Sequence, residues 1–354
     1  MRVLMLTQKI DRHDDVLGFT HDWAAALAAR VEHLYIVALE TGDYDLPPNV
    51  TVESMGKEAG RNRPGRLLGF YRGLLRHIGQ VDAIFVHMIA RYALLAAPVA
   101  ALYGRPITLW YVHRIPGPEL KLAVPLVKHI ATAHATTFPL PSDKVRVLGH
   151  GIDVNTFAPG EKLPADPPMV VSLGRLSPIK RHETLIRAAA RLRDQYGDPP
   201  ARYAIVGGAV PDRFPDYKDT VLAEIDRLRL GDRVTLWGPV PAEGVAAVFH
   251  EASVAVNFSP PGSFDKAALE SMLCGVPTIV ANPAFDALLG EHADLLRIPA
   301  GDDVNGLAQR LRDLLALTPE ARRAIGLQLR ERTAAAHSLD GLMDRLVALM
   351  ASDG

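Results

Sequence analysis

The feature that most constrains this chain is a rhythm that runs twice along it. Short β-branched or apolar runs at 3–6, 35–39, 83–86 and 107–112 alternate with longer stretches of helical pattern such as 20–29 and 65–78. Short apolar runs bounded by turn residues read as strands, and the segments between them are long enough to hold crossover helices. Parallel neighbours require such long connections, so the alternation predicts a parallel sheet. The rhythm stops at 158–168 (APGEKLPADPP) and restarts with strands expected at 169–173, 203–206, 234–237, 254–257 and 278–281. The expected fold class is therefore α/β, with two Rossmann-like, doubly wound parallel-sheet domains at 1–160 and 161–336. The last helical stretch, 337–354, has no strand after it and is expected to pack back on the first domain. In such sheets ligands bind beyond the carboxyl ends of the strands, in a cleft, so the loops leaving those ends are where function is sought.

Composition narrows the class of partner. The 354 residues suffice for two lobes, and 48% hydrophobic with 22% charged residues is the balance of an ordinary soluble globular protein. A formal net charge of −1 gives no global attraction to a polyanion, so no nucleic-acid partner is expected. Cys274 is the single cysteine, which rules out an intramolecular disulfide and a cysteine zinc site and favours a reducing compartment. The apolar run at 1–6 is too short for a signal-peptide core, and the run at 93–102, interrupted by Pro98, is about half of what crosses a bilayer. A cytoplasmic protein is expected, with peripheral contact at the inner membrane face left open.

Two segments carry chemistry. Residues 174–182 (GRLSPIKRH) leave a strand directly and open a helix. Arg175 and Lys180 can converge there on an anion such as a diphosphate, the guanidinium as a fork and the ammonium as a point charge; a solvated loop between strand and helix would carry the same residues. The second segment is 259–277 (SPPGSFDKAALESMLCGVP), in which a Pro/Gly loop turns and a helix begins around Asp265. The amides of Lys266, Ala267 and Ala268 then form a helix N-terminus that suits phosphate. Glu270 falls one turn beyond Lys266 on about the same face, where ribose hydroxyls can donate to it. The competing reading is an amphipathic helix capped by Asp265, with Glu270 paired to Lys266.

In this order and spacing the two segments resemble the second domain of GT-B fold glycosyltransferases, in the retaining family 4 (glycosyl transferases group 1). The Gly207-Gly208 pair and the run 149–157 (GHGIDVNTF) look like further family elements. The resemblance implies that domain 1–160 binds the acceptor and domain 161–336 the nucleotide sugar, that Arg175 and Lys180 bind the donor diphosphate and that Glu270 binds ribose. It also implies that Gly18 lets an N-terminal loop approach the phosphates, and that His113 lies beside the donor sugar, with His21 and His150 as weaker candidates. One position departs from the pattern. The first acidic residue usual in the family, eight positions before the glutamate, is Gly262 here, and Asp265 is the nearest substitute.

Other features carry less. Asp43-Tyr44-Asp45 has a metal-binding spacing but precedes Leu46-Pro47-Pro48 and reads as a solvated turn. No GxGxxG follows the first strand, and no P-loop or nucleophile elbow occurs. Along 61–78 (RNRPGRLLGFYRGLLRHI), Leu67, Leu68, Tyr71, Leu74, Leu75 and Ile78 fall on one helical face, with Arg66, Arg72, Arg76 and His77 adding cations. Such a helix either lies on an anionic lipid surface or packs on the sheet.

The function expected is metal-independent, retaining transfer of a sugar from a nucleoside-diphosphate donor to a hydroxyl of a glycan, a lipid-linked or a small-molecule acceptor, with no cofactor. A GT-B epimerase acting on a nucleotide sugar, or a nucleotide-binding subunit without transfer, are the alternatives.

Overall fold

A computed structural model describes residues 1–352 apart from Asp15 and Arg114. The chain divides into two compact units, Met1–Gly151 with His337–Gly354, and Ile152–Ala336. The first division falls ahead of the Pro-rich segment, at 151/152 where 160/161 was expected. Ile152, Val154 and Phe157 are the reason, since they pack into the core of the second unit.

The first unit holds the strands β1 (Arg2–Ile10), β2 (His33–Thr41), β3 (Val50–Ser54), β4 (Ala83–His87), β5 (Ile107–Trp110), β6 (His129–Thr132) and β7 (Val145–Val147). Its helices are α1 (Phe19–Ala28), α2 (Arg63–His77), α3 (Ala90–Leu102) and α4 (Pro118–Ala123). The sheet order is β3-β2-β1-β4-β5-β6-β7, with every pairing parallel. Strand alternation sorts the core into two layers. Val3 and Met5 of β1 face one side with Trp23, Trp110 and Leu346, while Leu4 and Leu6 face the other with Phe70, Leu74 and Tyr92.

The second unit holds β8 (Met169–Leu173), β9 (Arg202–Val206), β10 (Val234–Gly238), β11 (Val254–Asn257) and β12 (Thr278–Val280), in the order β10-β9-β8-β11-β12. Its helices are α5 (His182–Gln195), α6 (Tyr217–Arg227), α7 (Val245–Glu251), α8 (Lys266–Leu273), α9 (Asp286–Leu289), α10 (Ala293–Leu296) and α11 (Val304–Leu315), followed by α12 (Pro319–His337). In each unit the strand order reverses beside the first strand, between β1 and β4 and between β8 and β11. Crossovers part to opposite faces at these places and leave a crevice beyond the strand ends.

The final helix, α13 (Leu339–Ala351), belongs to the first unit. Leu342, Met343, Leu346 and Met350 enter the core beside Trp23 and Leu27 of α1. Arg30 at the end of α1 bonds Asp340 and Asp344 at 2.8 and 2.6 Å. No helix among the described residues is long and apolar enough to cross a membrane.

Helix α2 packs differently from its leucine pattern. Its buried face is Gly69, Phe70, Gly73, Leu74 and His77, while Leu67, Leu68 and Leu75 are exposed. The glycines decide this, because a Cβ at Gly69 would meet the Met55 backbone at 3.0 Å and one at Gly73 would meet Val37 at 2.7 Å. His77 is accordingly no surface cation: its Nε2 lies 2.8 Å from Glu53, which also pairs with Arg76.

Because Leu346 is fully buried between α13 and the sheet, Leu346→Ala should lower unfolding stability by about 2 to 5 kcal/mol, read by urea denaturation. A loss below about 1 kcal/mol would mean that α13 is not part of that core.

Candidate functional site

The two segments singled out in the sequence leave the two strands that flank the order reversal in the second unit. From β8 the chain passes through Gly174, whose φ of 153° excludes other residues, and lies against Gly207, with φ of 155°. A Cβ on Gly207 would stand 2.0 Å from the Gly174 carbonyl oxygen, so the loop can approach β9 this closely only where side chains are missing. The Gly174 amide donates to Val206 O at 2.9 Å and the Leu176 amide to Gly208 O at 2.8 Å. Gly207 therefore shapes the loop through its backbone.

Beneath the loop sits His182, fully buried at the start of α5. Its Nδ1 is 3.0 Å from Ser172 Oγ, and its Nε2 is 3.4 Å from the Arg175 carbonyl. A carbonyl only accepts, so Nε2 carries the proton and Nδ1 accepts from the serine. Burial drives the His182 pKa down to about 4, and the ring is a neutral prop under Arg175. The Tyr217 hydroxyl accepts from the His182 amide at 3.2 Å and donates to Glu183 at 2.6 Å. The place of His182 inside the 174–182 motif is the sequence signal for this supporting role.

From β11 the chain makes a tight turn at 260–263, with Ser263 N–H donating to Pro260 O at 3.1 Å. Pro261 and Gly262, the latter at φ 81°, fill the two central positions in the pattern of a type II turn. The position where an acidic residue was expected is thus one where the backbone favours glycine. Asp265 then caps α8, its Oδ1 accepting from the Ala267 amide at 3.4 Å. Its Oδ2 accepts from Asn257 Nδ2 at 2.8 Å, from Ser259 Oγ at 2.6 Å, and from the Lys180 ammonium. Burial works to raise this carboxyl, but the Lys180 charge and the three donors outweigh it and hold the pKa below the usual range.

This changes what each residue offers. Asp265 spends Oδ2 on protein donors, so it acts by fixing Lys180 in place. Lys180 is a paired cation rather than a free one, although an ammonium has three donors and Asp265 takes one. The Arg175 guanidinium is exposed and has no hydrogen bond or ion pair among the described residues. Ala267 and Ala268 lie in the first turn of α8, where amides lack intrahelical partners. Glu270 stands one turn on, half-buried, and burial pushes its carboxyl up to about 7. Asn257 and Ser259 hold Asp265; Ser259 opens the 259–277 segment, while Asn257 lies before it and carried no sequence signal.

The remaining candidates lie in the first unit. Gly18 is the N-cap of α1, and its amide donates to Asp14 O at 2.9 Å. A Cβ there would meet that oxygen at 2.7 Å. The same loop is anchored by Lys9, whose ammonium lies 2.8 Å from Asp14 and 3.0 Å from Asp11. His113 follows β5 by three residues, since the strand stops at Trp110 rather than at 112; its ring meets Tyr111 edge-on at 5.3 Å. Partial burial draws its pKa below the ordinary histidine value. His21 Nε2 lies 2.9 Å from the Asp45 carbonyl, and the His150 amide donates to His337 Nδ1 at 3.2 Å. Asp43 pairs with Arg12 at 2.8 Å in the surface turn. Among the described residues no three His, Cys, Asp or Glu side chains are grouped to hold a metal.

Removing Lys180 strands a buried carboxylate, so Lys180→Ala should cost about 3 to 5 kcal/mol of stability, whereas Arg175→Ala should stay within about 0.5 kcal/mol. Denaturant titration of both checks this, and equal effects would contradict the pairing. Glu270 has a folded pKa of about 7 against 4.5 for the ordinary glutamate. Its stabilising contribution is therefore full below pH 4.5 and is lost as pH rises through 7. Relative to Glu270→Gln, the wild type should lose stability across that window; a flat difference would show that Glu270 is solvated.

Comparison with known proteins sets this geometry in a family context. Residues 167–317 match the family model of glycosyl transferases group 1. The D-inositol 3-phosphate glycosyltransferase of Mycolicibacterium smegmatis is 28% identical over 214 residues, covering 56% of this chain and 46% of the relative. That of Mycobacteroides abscessus is 33% identical over 147 residues, covering 39% and 31%. The chain thus spans less than half the length of these relatives. Among solved structures, sucrose-phosphate synthase from Thermosynechococcus elongatus superposes with a TM-score of 0.76 at 19% identity, over 98% of each chain. Anabaena HepE in complex with UDP and glucose gives 0.74 at 17%, over 99% and 100%. The chain has the GT-B fold, and its second unit is similar to the glycosyl transferases group 1 family over residues 167–317.

Proposed function

We propose that the protein is a glycosyltransferase that moves a sugar from a nucleoside-diphosphate donor to an acceptor hydroxyl, with retention at the anomeric carbon and without a metal. The observation that carries this reading is the exposed, unpartnered Arg175 guanidinium on a loop that shares Lys180 with the first turn of α8 through Asp265. These groups lie at the strand ends beside the order reversal of the second unit, where a parallel sheet accepts a nucleotide. The HepE complexes with UDP and with UDP-glucose, on the same fold, support a nucleotide-sugar donor.

As the sugar leaves, negative charge grows on the diphosphate oxygen that carried it. Arg175 meets that charge as a bidentate fork, Lys180 with its two remaining donors, and the Ala268 amide with the positive end of the α8 dipole, the Ala267 amide being taken by the Asp265 cap. Lys266 adds a charge at the same helix start. Fixed donors cost little reorganisation during reaction, and Asp265, Asn257 and Ser259 do this fixing for Lys180. Glu270 accepts from ribose hydroxyls. The bond between the anomeric carbon and the diphosphate oxygen breaks, the acceptor oxygen bonds to the same face, and its proton passes to a phosphate oxygen. Gly18 and His113 enter this scheme through the family resemblance alone, as the phosphate-approaching glycine and the residue beside the donor sugar. A nucleotide-binding protein without transfer is the second reading, favoured by Gly262, whose turn leaves no carboxylate at the position the family uses.

Transfer can be read directly by proton NMR of the product formed from UDP-, GDP- or ADP-glucose and an alcohol acceptor. The expected product keeps the donor's anomeric configuration, and Arg175→Ala lowers kcat/KM at least about tenfold, since a charge-assisted hydrogen bond contributes about 1.5 to 3 kcal/mol. An inverted product would refute retention. Unchanged kinetics in Arg175→Ala would remove the proposed site, and donor binding without any product would favour the binding protein.

A further inference from the structure

The second unit carries a group of cations that the proposed function does not use, at the opposite end of α8 from the Ala268 amide. A cavity of about 30 Å³ lies there, large enough for more than one water-sized group. Cys274 and Gly275 after α8, His250 of α7, Lys162 of the Pro-rich segment, and Arg322 and Arg323 of α12 line it. No acidic side chain is among the lining residues.

Arg322 is the central observation, because it is only 6% exposed. Its Nη1 donates to the carbonyls of Leu314, Leu315 and Leu317 at the end of α11, at 3.3, 3.3 and 2.7 Å. Its Nε and Nη2 have no hydrogen-bond partner among the described residues, and the guanidinium has no ion pair there; Asp166 and Glu320 act on it only through space. A guanidinium withdrawn from water without an anion is costly, and an anion entering the cavity offsets that cost.

The surroundings favour the same occupant. Arg323 donates from Nη2 to Gly160 O at 2.8 Å and from Nη1 to Lys162 O at 3.4 Å, which fixes the Pro-rich segment as one wall and leaves Nε unused. The Lys162 side chain is exposed, with no hydrogen bond or ion pair among the described residues. Pro319, in the first turn of the 19-residue α12, also lines the cavity, so the positive end of that helix dipole is directed to it. The opposing end of α8 is answered by Arg330, which donates to Leu273 O. Through Gly160, Lys162, Pro164 and His250 the cavity is continuous with a groove of about 430 Å³. Glu161, Glu251 and Arg202 line this groove, all exposed and none in an ion pair among the described residues.

We infer that the cavity is a second anion site, separate from the proposed donor site, which takes the phosphate of a hydroxyl-bearing phosphomonoester. The phosphate oxygens accept from Arg322, Arg323 and Lys162, and hydroxyls of the organic part donate to Glu161 and Glu251 in the groove. An apolar body leaves these carboxylates unanswered, and a neutral polyol leaves Arg322 without a counter-charge. An eight-residue helix is about 12 Å long, so the ligand binds one helix length away from the α8 N-terminus and does not enter the donor site. Binding here requires nothing of the proposed transfer reaction.

The test is calorimetric titration of the full chain with glycerol 3-phosphate, inorganic phosphate, phenyl phosphate and glycerol. Glycerol 3-phosphate should bind at least about threefold more tightly than inorganic phosphate or phenyl phosphate, and glycerol should not bind. Lys162→Gln/Arg323→Gln should remove at least about tenfold of the affinity, and Arg175→Ala should change it by less than about twofold. Loss in Arg175→Ala but not in the double variant would place the phosphate in the proposed donor site and overturn the inference, as would absence of binding by all three phosphates. Equal binding of inorganic phosphate would assign the cavity to the free ion and overturn the phosphomonoester, and equal binding of phenyl phosphate would overturn the part given to Glu161 and Glu251. If the double variant fails to fold, Lys162→Gln alone, which breaks no bond of the protein, should still cost at least about threefold, and an unchanged affinity would overturn the site. UDP titrated in parallel separates the two readings: UDP binding without glycerol 3-phosphate binding overturns this cavity alone, while the converse counts against the proposed function alone.

Discussion

A carboxylate as deeply placed as that of Asp265 is tolerated only when cations and donors surround it, and the second unit is arranged to supply them. Lys180 comes from the loop after β8, and Asn257 and Ser259 from the end of β11. One oxygen therefore ties together the two strand ends that flank the order reversal, and the same carboxylate caps α8. The pairing is weak evidence for stability, because desolvating both ions offsets much of their attraction. Its effect is geometric: it holds an ammonium and a helix N-terminus side by side and leaves Arg175 unpaired beside them.

The rest of the loop is built to keep that arrangement stiff. Gly174 and Gly207 bring two backbones into contact that no side chain would allow, and a neutral His182 bonds the Arg175 carbonyl from below. A cationic site that must stabilise charge appearing during reaction gains from such rigidity, since donors already in place need not reorganise. The first unit repeats the topology with different contents. Its crevice is apolar as well as basic, and it is bounded by α2 and α3 rather than by a glycine loop. Two sheets with the same plan thus present differently lined crevices.

Much of the fold was legible because parallel strands buried on both faces are nearly continuous apolar runs; β1, β4, β8, β9 and β11 all show one. Strands β3, β6 and β7 were not legible: β3 is half-exposed and mixes polar residues into VTVES, while β6 (HIAT) and β7 (VRV) are short and broken by polar residues. The motif loops were found from their residue types and spacing, but the ion pair between Lys180 and Asp265 was not, since 85 residues separate them and only the sheet order brings them together. The face of α2 was misjudged for a related reason. Leucines were counted as the contact stripe, whereas Gly69 and Gly73 let the helix approach Met55 and Val37 closely and turned Leu68 and Leu75 to solvent.

The proposed diphosphate site uses cations and helix amides, so the proposal is that it binds its ligand without a divalent ion. Calorimetric titration of UDP, GDP and ADP in the presence of excess EDTA tests this most directly. The prediction is saturable binding of at least one nucleoside diphosphate, unchanged when EDTA is replaced by magnesium. Absence of binding to all three, or binding that appears only with magnesium, would contradict a site made from Arg175, Lys180 and the start of α8.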